Sequence, residues 1–241
     1  MATSLLDKRE TRIRRMFGEI APRYELLNHL LSLNVDRYWR WRATRFVPPA
    51  GDAPILDLCT GTGDLALAYD RAAGGKVAIV GADFCHPMLV RAVAKTGRRN
   101  ASERVRYVEA DAQRLPFPDD EFQIVTVAFG LRNVTDTDRG LAEMVRVTKP
   151  GGRVAILEFS KPRHWLFGRA YRFYFSHILP CVGQVFSHSP DSAYHYLPAS
   201  VQEFPDYEAL ADRMRFHGLT GVRFHPLTFG IATLYVGARP G

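Results

Sequence analysis

The length, composition and charge of this chain exclude several classes of protein. With 241 residues, of which 46% are hydrophobic and 24% charged, it is long enough to bury a full core in one domain. It contains no run of about 18 apolar residues, so no transmembrane helix is predicted, and its apolar start is too short for a signal peptide. The three cysteines have neither metal-ligand nor disulfide spacing. We therefore expect a cytoplasmic protein without a metal.

The net charge of +7 is concentrated in two segments. Ten of the 32 Lys and Arg residues lie before residue 46, against five acids, whereas residues 159–190 contain four Lys or Arg and no acid. Basic charge interleaved with aromatic residues is typical of a surface for RNA or for an anionic membrane. The alternative is that both segments are solvated helical faces.

Strand and helix signals alternate through most of the chain. The hydrophobic pattern predicts a strand from residue 55, a helix over 65–73, a strand over 77–82, a helix over 87–96, strands over 105–109 and 122–128, a helix over 136–147 and a strand over 153–159. A helix over 207–217 and two closely spaced strands, 222–226 and 231–237, follow. This order predicts a Rossmann-like α/β fold: a mostly parallel seven-stranded sheet with an antiparallel last strand and helices on both faces. The ligand is then expected at the carboxyl ends of the strands.

The chain is predicted to be one domain, residues 1–241, with four parts. These are an N-terminal helical cap (1–50), a cofactor-binding core (51–161), an aromatic insertion (162–205) and a C-terminal helix with a strand pair (206–241). An insertion of about forty residues is too long for a simple loop, and we expect it to cover the carboxyl edge of the sheet as a lid. For any single aromatic residue in it, additional core packing is the alternative.

The most informative motif is the turn after the first strand, Asp57-Leu58-Cys59-Thr60-Gly61-Thr62-Gly63-Asp64. A strand, a glycine-rich turn and a helix present backbone N–H groups to a nucleotide-like ligand. Cys59 replaces the first glycine of a G-x-G-x-G series and Ala66 the third glycine of a dinucleotide fingerprint, which disfavours a close phosphate cradle. Asp83, about twenty residues later at the end of the second strand, is suited to bind both hydroxyls of a ribose. A glycine turn and a ribose acid without a pyrophosphate site indicate S-adenosylmethionine.

Several further motifs extend over the chain from Met16 to Gly237. The specific ones are Phe129-Gly130-Leu131-Arg132-Asn133-Val134 and Leu157-Glu158-Phe159-Ser160-Lys161-Pro162, and the others are Phe17-Gly18-Glu19-Ile20-Ala21-Pro22-Arg23-Tyr24, Asp111-Ala112 with Leu115-Pro116-Phe117, Lys149-Pro150-Gly151-Gly152, Tyr194-His195-Tyr196-Leu197, and Ser200-Val201 with Phe204-Pro205. Together with the glycine turn, they resemble the UbiE/COQ5 family, the C-methyltransferases of menaquinone and ubiquinone biosynthesis.

The resemblance implies which residues bind S-adenosylmethionine. The cofactor turn includes Asp57, Gly61 and Thr62; Asp83 holds the ribose; Asp111 and Ala112 lie beside the adenine; and Tyr24 closes over the methionine end. From the residues alone, Asp83 could instead be a helix N-cap, Asp111 a simple turn residue and Tyr24 a packing residue.

One cofactor position departs from the family pattern. Many members carry a serine immediately before the Phe129–Asn133 run, where this chain has Ala128. A hydroxyl contact to the cofactor is therefore lost, although the backbone at Ala128 can still serve.

The resemblance also implies the reaction, methyl transfer from a sulfonium to a ring carbon of a reduced, prenylated quinol. Such a site needs in-line positioning and a group that stabilises the developing quinolate. Arg132 is predicted as the oxyanion partner, acting with a water as the proton relay because an arginine stays protonated. The alternative for Arg132 is a salt bridge to Asp136 or Asp138. Asn133 is predicted to orient the ring oxygen.

Three residues of the insertion, Tyr194, His195 and Tyr196, are predicted to contact the quinol. His195 has the intrinsic pKa of a general base, and a structural role is its alternative. Family membership leaves both a naphthoquinol and a benzoquinol open, with a slight preference for demethylmenaquinol.

The prenylated substrate implies an enzyme that works at the inner face of a membrane without spanning it. Arg14-Arg15 and residues 165–175 are the predicted contacts with an anionic bilayer. A homodimer is left open.

Two other functions remain: a methyltransferase for RNA or another small molecule, and a non-catalytic, cofactor-binding component of a quinone-biosynthesis assembly. The Asn/Asp-Pro-Pro-Tyr motif of amino-group methyltransferases is absent after the fourth strand, so nucleic acid is the less favoured partner, and Arg132-Asn133 argues against a non-catalytic role.

Overall fold

The protein forms a mixed α/β sheet structure. The computed structural model describes residues 8–21, 32, 34–163, 165, 168–169 and 193–241, with residues 193–195 described for the backbone alone. The strands are β1 (Ile55–Leu58), β2 (Ile79–Asp83), β3 (Val105–Glu109), β4 (Phe122–Ala128), β5 (Thr148–Phe159), β6 (Thr220–Leu227) and β7 (Ala232–Ala238).

These strands pair in the order β3-β2-β1-β4-β5-β7-β6. Strands β1 to β5 are parallel, and β7 lies antiparallel between β5 and β6. This arrangement confirms the predicted fold, including the antiparallel pair at the C-terminal end of the chain.

The described helices connect these strands and cap the sheet. They are α1 (Glu10–Ile20), α2 (Val35–Phe46), α3 (Asp64–Ala72), α4 (His86–Arg98), α5 (Thr137–Val147), α6 (Ala193–Glu203) and α7 (Glu208–Phe216). Their ends follow local chemistry. The side chain of Asp136 accepts the Arg139 N–H at 3.0 Å and caps α5, and Pro87 lies in the first turn of α4.

Strand β5 begins earlier than the sequence pattern predicts. Thr148 already pairs with Phe122, and the register then shifts before regular pairing resumes at Arg153. Gly152 fits this shift because a Cβ there would lie 2.7 Å from the Lys149 carbonyl oxygen. The Pro-Gly-Gly run is therefore an irregular part of the strand rather than its boundary.

Each face of the sheet carries a hydrophobic core. Ile55 and Leu56 are neighbours in β1, and both are fully buried because successive side chains point to opposite faces. Leu56 belongs to a cluster with Leu141 and Met144 of α5, whereas Ile55 belongs to a cluster with Leu65 of α3. Burial on both faces explains the nearly continuous apolar character of the parallel strands.

The predicted four-part division of the chain stays a prediction. Much of the proposed lid, including residues 170–192, lies outside the described residues. Among the described residues, no helix combines the length and apolar character needed to span a bilayer.

Candidate active site

A cavity opens at the carboxyl ends of β1, β2 and β4, where ligands bind in folds of this kind. Most of its lining comes from the segments that follow these strands and from α1. The lining residues are Glu10, Ile13, Phe17, Leu58, Cys59, Gly61, Ala82, Asp83, Phe84, Cys85, Met88, Ala110, Asp111, Ala112, Gln113, Ala128, Phe129, Gly130, Asn133, Val134 and Thr135. The cavity therefore brings together five of the predicted cofactor residues and Asn133.

Asp83 lies at the end of β2 and faces the cavity. One carboxylate oxygen accepts the Gly61 N–H at 2.8 Å, and the other accepts the Cys85 N–H at 2.9 Å. Burial raises the pKa of Asp83 to about 6. Cys85, not Asp83, occupies the N-cap position of α4. The helix-cap alternative for Asp83 was therefore wrong, and the carboxylate ties the glycine turn to the end of β2.

Asp57 is a second buried acid, in β1 before the glycine turn; it has 1% of its surface exposed and does not line the cavity. Its Oδ2 accepts the Thr60 hydroxyl at 2.6 Å and the Ala66 N–H at 3.1 Å. Its Oδ1 has no hydrogen-bond partner among the described residues, and burial raises the pKa of Asp57 to about 7. A buried acceptor without a partner beside a glycine turn fits a ligand that brings an N–H donor or a cation, as the amino-acid end of S-adenosylmethionine does.

The glycine turn needs left-handed backbone at three positions. Cys59, Gly61 and Gly63 have φ values of 49°, 55° and 82°. At Gly63 a Cβ would collide with the ring of Tyr107, so only glycine fits. Cys59 adopts this conformation despite its side chain, which explains why the turn forms without the first glycine of the common series.

Thr62 faces away from the cavity. It is buried, and its hydroxyl accepts Lys95 Nζ of α4 at 3.0 Å. The turn thus presents Gly61 to the cavity and uses Thr62 to contact α4.

Asp111 and Ala112 line the cavity beyond β3. Asp111 Oδ1 accepts the Gln113 N–H at 2.9 Å, and the Gln113 side-chain amide lies 3.1 Å from both carboxylate oxygens. Asp111 is therefore a turn residue, as the alternative predicted. It also lines the cavity, and its contact with adenine stays a prediction.

Arg132 does not line the cavity. It is buried, and its Nη1 donates to Glu158 Oε1 at 2.9 Å and to the carbonyl oxygen of Phe129. Its Nε donates to Ser200 Oγ at 3.3 Å, and its guanidinium lies over the ring of Phe159. Among the described residues, Arg132 pairs with Glu158 and not with Asp136 or Asp138, and its predicted role as the oxyanion partner stays a prediction.

Asn133, the next residue, does line the cavity. Its side-chain oxygen is buried without a hydrogen-bond partner among the described residues. Ala128 also contributes to the wall, so a serine hydroxyl at this position would face the same space.

The remaining predicted substrate residues are only partly described. Tyr196 is buried against Ile13 and Met16, outside the cavity lining, and burial raises its pKa to about 12. The side chains of Tyr194 and His195, and the whole of Tyr24, lie outside the described residues.

Sequence reasoning missed most of the apolar wall. Phe84 directly follows Asp83, and Phe129 begins the specific Phe129–Val134 run with a left-handed φ of 58°. Both positions had a signal, because each follows a strand end at the carboxyl edge. Met88 and Ile13 reach the cavity from helices and had no such signal.

This chain has the fold of a class I S-adenosylmethionine-dependent methyltransferase. The features that define it are the sheet order, the glycine turn after β1 and the acid at the end of β2. Solved structures agree. An S-adenosylmethionine-dependent methyltransferase from Thermotoga maritima matches 93% of this chain and 98% of its own with a TM-score of 0.64 at 18% identity. Another from Aquifex aeolicus matches 83% of this chain and 88% of its own with a TM-score of 0.59 at 15% identity.

The chain belongs to the ubiE/COQ5 methyltransferase family, whose model matches residues 5–239. A demethylmenaquinone methyltransferase from Thermus thermophilus is 50% identical over 93% of this chain and 100% of its own length. The ubiquinone/menaquinone biosynthesis C-methyltransferase UbiE of Geobacter sulfurreducens is 47% identical over 97% of this chain and 91% of its own length. A demethylmenaquinone methyltransferase from Deinococcus radiodurans is 48% identical over 94% and 92%, respectively.

Proposed function

We propose that this protein transfers the methyl group of S-adenosylmethionine to a ring carbon of a prenylated quinol, with demethylmenaquinol as the leading substrate. The observation that carries the proposal is the cavity itself, where Asp83 meets Gly61 of the glycine turn beside an apolar wall. The names of the relatives from Thermus thermophilus and Deinococcus radiodurans support a naphthoquinol over a benzoquinol.

In this proposal the acids and the turn hold the cofactor. Asp83 accepts the ribose hydroxyls, since a carboxylate at the end of β2 suits a diol. Asp111 and the backbone of Ala112 contact the adenine, and the free Oδ1 of Asp57 accepts the amino group at the methionine end, directly or through water. When bound, S-adenosylmethionine supplies an electrophilic methyl group on a sulfonium.

The apolar wall orients the quinol ring. Phe129, Val134 and Phe17 exclude water and position the ring carbon in line with the methyl group, and positioning accounts for much of the rate in such transfers. When bound, the cofactor would give its methyl group to this carbon and leave as a neutral thioether, and the ring carbon would then lose its proton to water. Asn133 contacts the quinol oxygen as negative charge develops there.

We assign Arg132 a positioning role in this reaction. Its guanidinium is bonded to Glu158 and to the Phe129 carbonyl, so it fixes the segment that carries both Phe129 and Asn133.

The test is the transfer of label from methyl-labelled S-adenosylmethionine to chemically reduced, short-tailed demethylmenaquinol, with the matching benzoquinol assayed in parallel. Label in the naphthoquinol product is expected, and the ratio between the two substrates decides the pathway. Asp83→Asn, which keeps the shape of the side chain, should lose cofactor affinity. No label in either quinol, with cofactor binding intact, would contradict the proposal and favour RNA or a non-catalytic role.

A further inference from the structure

A second, larger concavity lies on the outer surface formed by α2, α3 and α4. We call it the helical groove; it measures about 1250 Å³ and is separate from the cavity at the strand ends. Its lining is Arg37, Tyr38, Arg40, Trp41, Thr44, Arg45, Pro48, Asp64, Leu67, Ala68, Arg71, Ala72, Lys95, Arg98 and Arg99. Seven of these residues are cationic and one is acidic. The groove therefore selects for an anion.

The described residues leave most of this positive charge without an ion-pair partner. Arg40 pairs with Asp36, and Lys95 pairs with Asp64 at 2.9 Å. Within the described part of the chain, the other five arginines of the groove form no ion pair. Burial and the neighbouring Arg99 lower the pKa of Arg71, as expected where cations crowd one another.

The predicted membrane contact at Arg14-Arg15 is different. Arg14 pairs with Glu10 at 2.9 Å and with Glu109 at 3.2 Å, and Arg15 lies 3.8 Å from Glu19. Local carboxylates thus offset the charge on α1. In the lining of the helical groove, by contrast, cations outnumber carboxylates.

The rim and the floor of the groove suggest what the anion is attached to. Trp41 and Tyr38 are exposed on the same face of α2, with 51% and 45% of their surfaces accessible and ring centroids 5.9 Å apart. Arg45 lies over the Trp41 ring. The floor contains the apolar Leu67 and Ala68. Tryptophan and tyrosine beside cations are typical of proteins that sit at the membrane–water interface.

We propose that the helical groove binds the phosphates of anionic phospholipid headgroups and seats the enzyme on the membrane, with Trp41 and Tyr38 at the level of the headgroups. The inference rests on the proposed function, because only a prenylated substrate requires the enzyme to work at a bilayer. Single-stranded nucleic acid fits less well, since it is held by aromatic rings spaced to stack successive bases. Here both rings lie together on one helix and contact each other.

The groove also adjoins the active site. Lys95 contacts both Asp64, in the groove, and Thr62, in the cofactor turn, at 2.9 and 3.0 Å. Gly61 of the same turn lines the cavity. An enzyme seated through the groove therefore has its cofactor turn close to the bilayer from which the prenylated quinol comes.

The test is co-sedimentation of the full-length protein with vesicles of phosphatidylcholine alone or of an equimolar mixture with phosphatidylglycerol, at low salt. The groove variant is Arg71→Gln/Arg98→Gln/Arg99→Gln. The control variant, Arg213→Gln/Arg215→Gln/Arg223→Gln, removes the same charge from α7 and β6 at the opposite edge of the sheet. The wild type should bind the anionic vesicles, and the groove variant should lose roughly tenfold or more in partitioning. The control variant should lose much less.

Tryptophan emission gives a second measurement. Trp165 is also exposed, so it is replaced first: anionic vesicles should shift the emission of Trp165→Phe to shorter wavelength, and Trp41→Phe added to it should abolish most of that shift because Trp39 is already buried. Equal vesicle binding by the groove variant and the wild type would overturn the proposal. The proposal would also be overturned if the groove variant lost its binding to a single-stranded RNA probe but kept its binding to vesicles.

Turnover of a short-tailed, water-soluble quinol separates this inference from the proposed function. If the groove variant turns this quinol over as fast as the wild type but fails to bind vesicles, both proposals are supported. If the wild type binds vesicles through the groove but methylates no quinol, the substrate assignment fails and the membrane site stands.

Discussion

Arg132 Nη1 and Glu158 Oε1 lie 2.9 Å apart in an almost fully buried ion pair, with 7% and 1% of the two side chains exposed. Arg132 follows β4, and Glu158 is close to the end of β5. The Glu158 carboxylate also accepts the Phe159 N–H at 2.8 Å. The pair therefore joins the ends of two neighbouring strands, and Arg132 also contacts the carbonyl oxygen of Phe129, which lines the cavity.

Removing one partner of this pair should cost stability. Glu158→Ala leaves the guanidinium buried without its carboxylate, and we expect a loss of about 3–5 kcal/mol in the free energy of unfolding, measured by urea denaturation. Arg132→Met/Glu158→Leu, which removes both charges, should lose much less. If Glu158→Ala and the double variant were equally unstable, packing rather than charge would be the main contribution of this site.

The same pair should affect turnover through position. Arg132→Lys keeps the charge but loses the fork that contacts both Glu158 and the Phe129 carbonyl. We expect kcat to fall at least tenfold with little change in cofactor affinity, and the pH profile of kcat to keep its shape. A shifted pH profile in Arg132→Lys would instead indicate that the guanidinium takes part in proton transfer.

The affinity for S-adenosylmethionine should depend on pH through Asp83. Its pKa is raised to about 6 by burial, and ribose hydroxyls donate to the ionised carboxylate. The affinity should fall as pH drops through 6, where protonation of Asp83 adds to that of Asp57, whose pKa is about 7. Calorimetry between pH 5 and pH 8 measures this. Asp83→Asn should bind roughly 10- to 100-fold more weakly at pH 8, and its profile should lose the fall near pH 6 while keeping the one near pH 7 that Asp57 causes.

Asp57 should make the ligand-free protein less stable as pH rises. Its folded-state pKa is raised to about 7, so between its ordinary value near 4 and pH 7 the folded state holds a proton that the unfolded state has lost. The stabilisation from this group is therefore complete below pH 4 and is lost as pH rises through 7. Asp57→Asn, which cannot ionise, should be more stable than the wild type by roughly 1–3 kcal/mol at pH 8.

Cofactor binding provides the contrast for Asp57→Asn. The variant should gain stability but bind S-adenosylmethionine more weakly, because the amide is a poorer partner for the ammonium group. A variant with unchanged stability at pH 8 would show that water or a cation already compensates the buried charge.

Gly130 should be intolerant of a side chain because of Cys59. A Cβ at Gly130 would collide with the Cβ of Cys59 and lie 3.1 Å from its Sγ. We expect Gly130→Ala to destabilise the protein by about 1–3 kcal/mol. Cys59→Gly should restore much of this loss in the double variant, since it removes the opposing atoms and suits the left-handed φ of 49°. A double-mutant cycle with no coupling would contradict this account.

Much of the fold could be predicted from the sequence because its signals are local. The alternation of apolar strands and amphipathic helices indicated the parallel sheet, and the bounds of β3 and β4 match the predicted strands. The start of β5 was predicted too late, since Pro150-Gly151-Gly152 resembles a turn. This run is part of β5 only because β5 pairs with β4 on both sides of the register shift.

The candidate site divides in the same way. The chain order of a glycine turn and an acid some twenty residues later determines that Asp57, Gly61 and Asp83 meet at one edge of a parallel sheet. The side-chain directions of Thr62 and Arg132 are not encoded locally. Each depends on a partner far along the chain, Lys95 and Glu158, which only the packing of α4 and β5 brings into contact.

The sequence by itself thus determined the family, the sheet and the positions of Asp57 and Asp83 near the carboxyl ends of β1 and β2, because these follow from periodicity and from motifs within single turns. Only the tertiary structure decided that Arg132 pairs with Glu158 and does not line the cavity, and that Arg37, Arg71 and Arg99 from three regions of the chain share one groove. Such relationships join residues that are distant in sequence, and their geometry exists only once the helices have packed on the sheet.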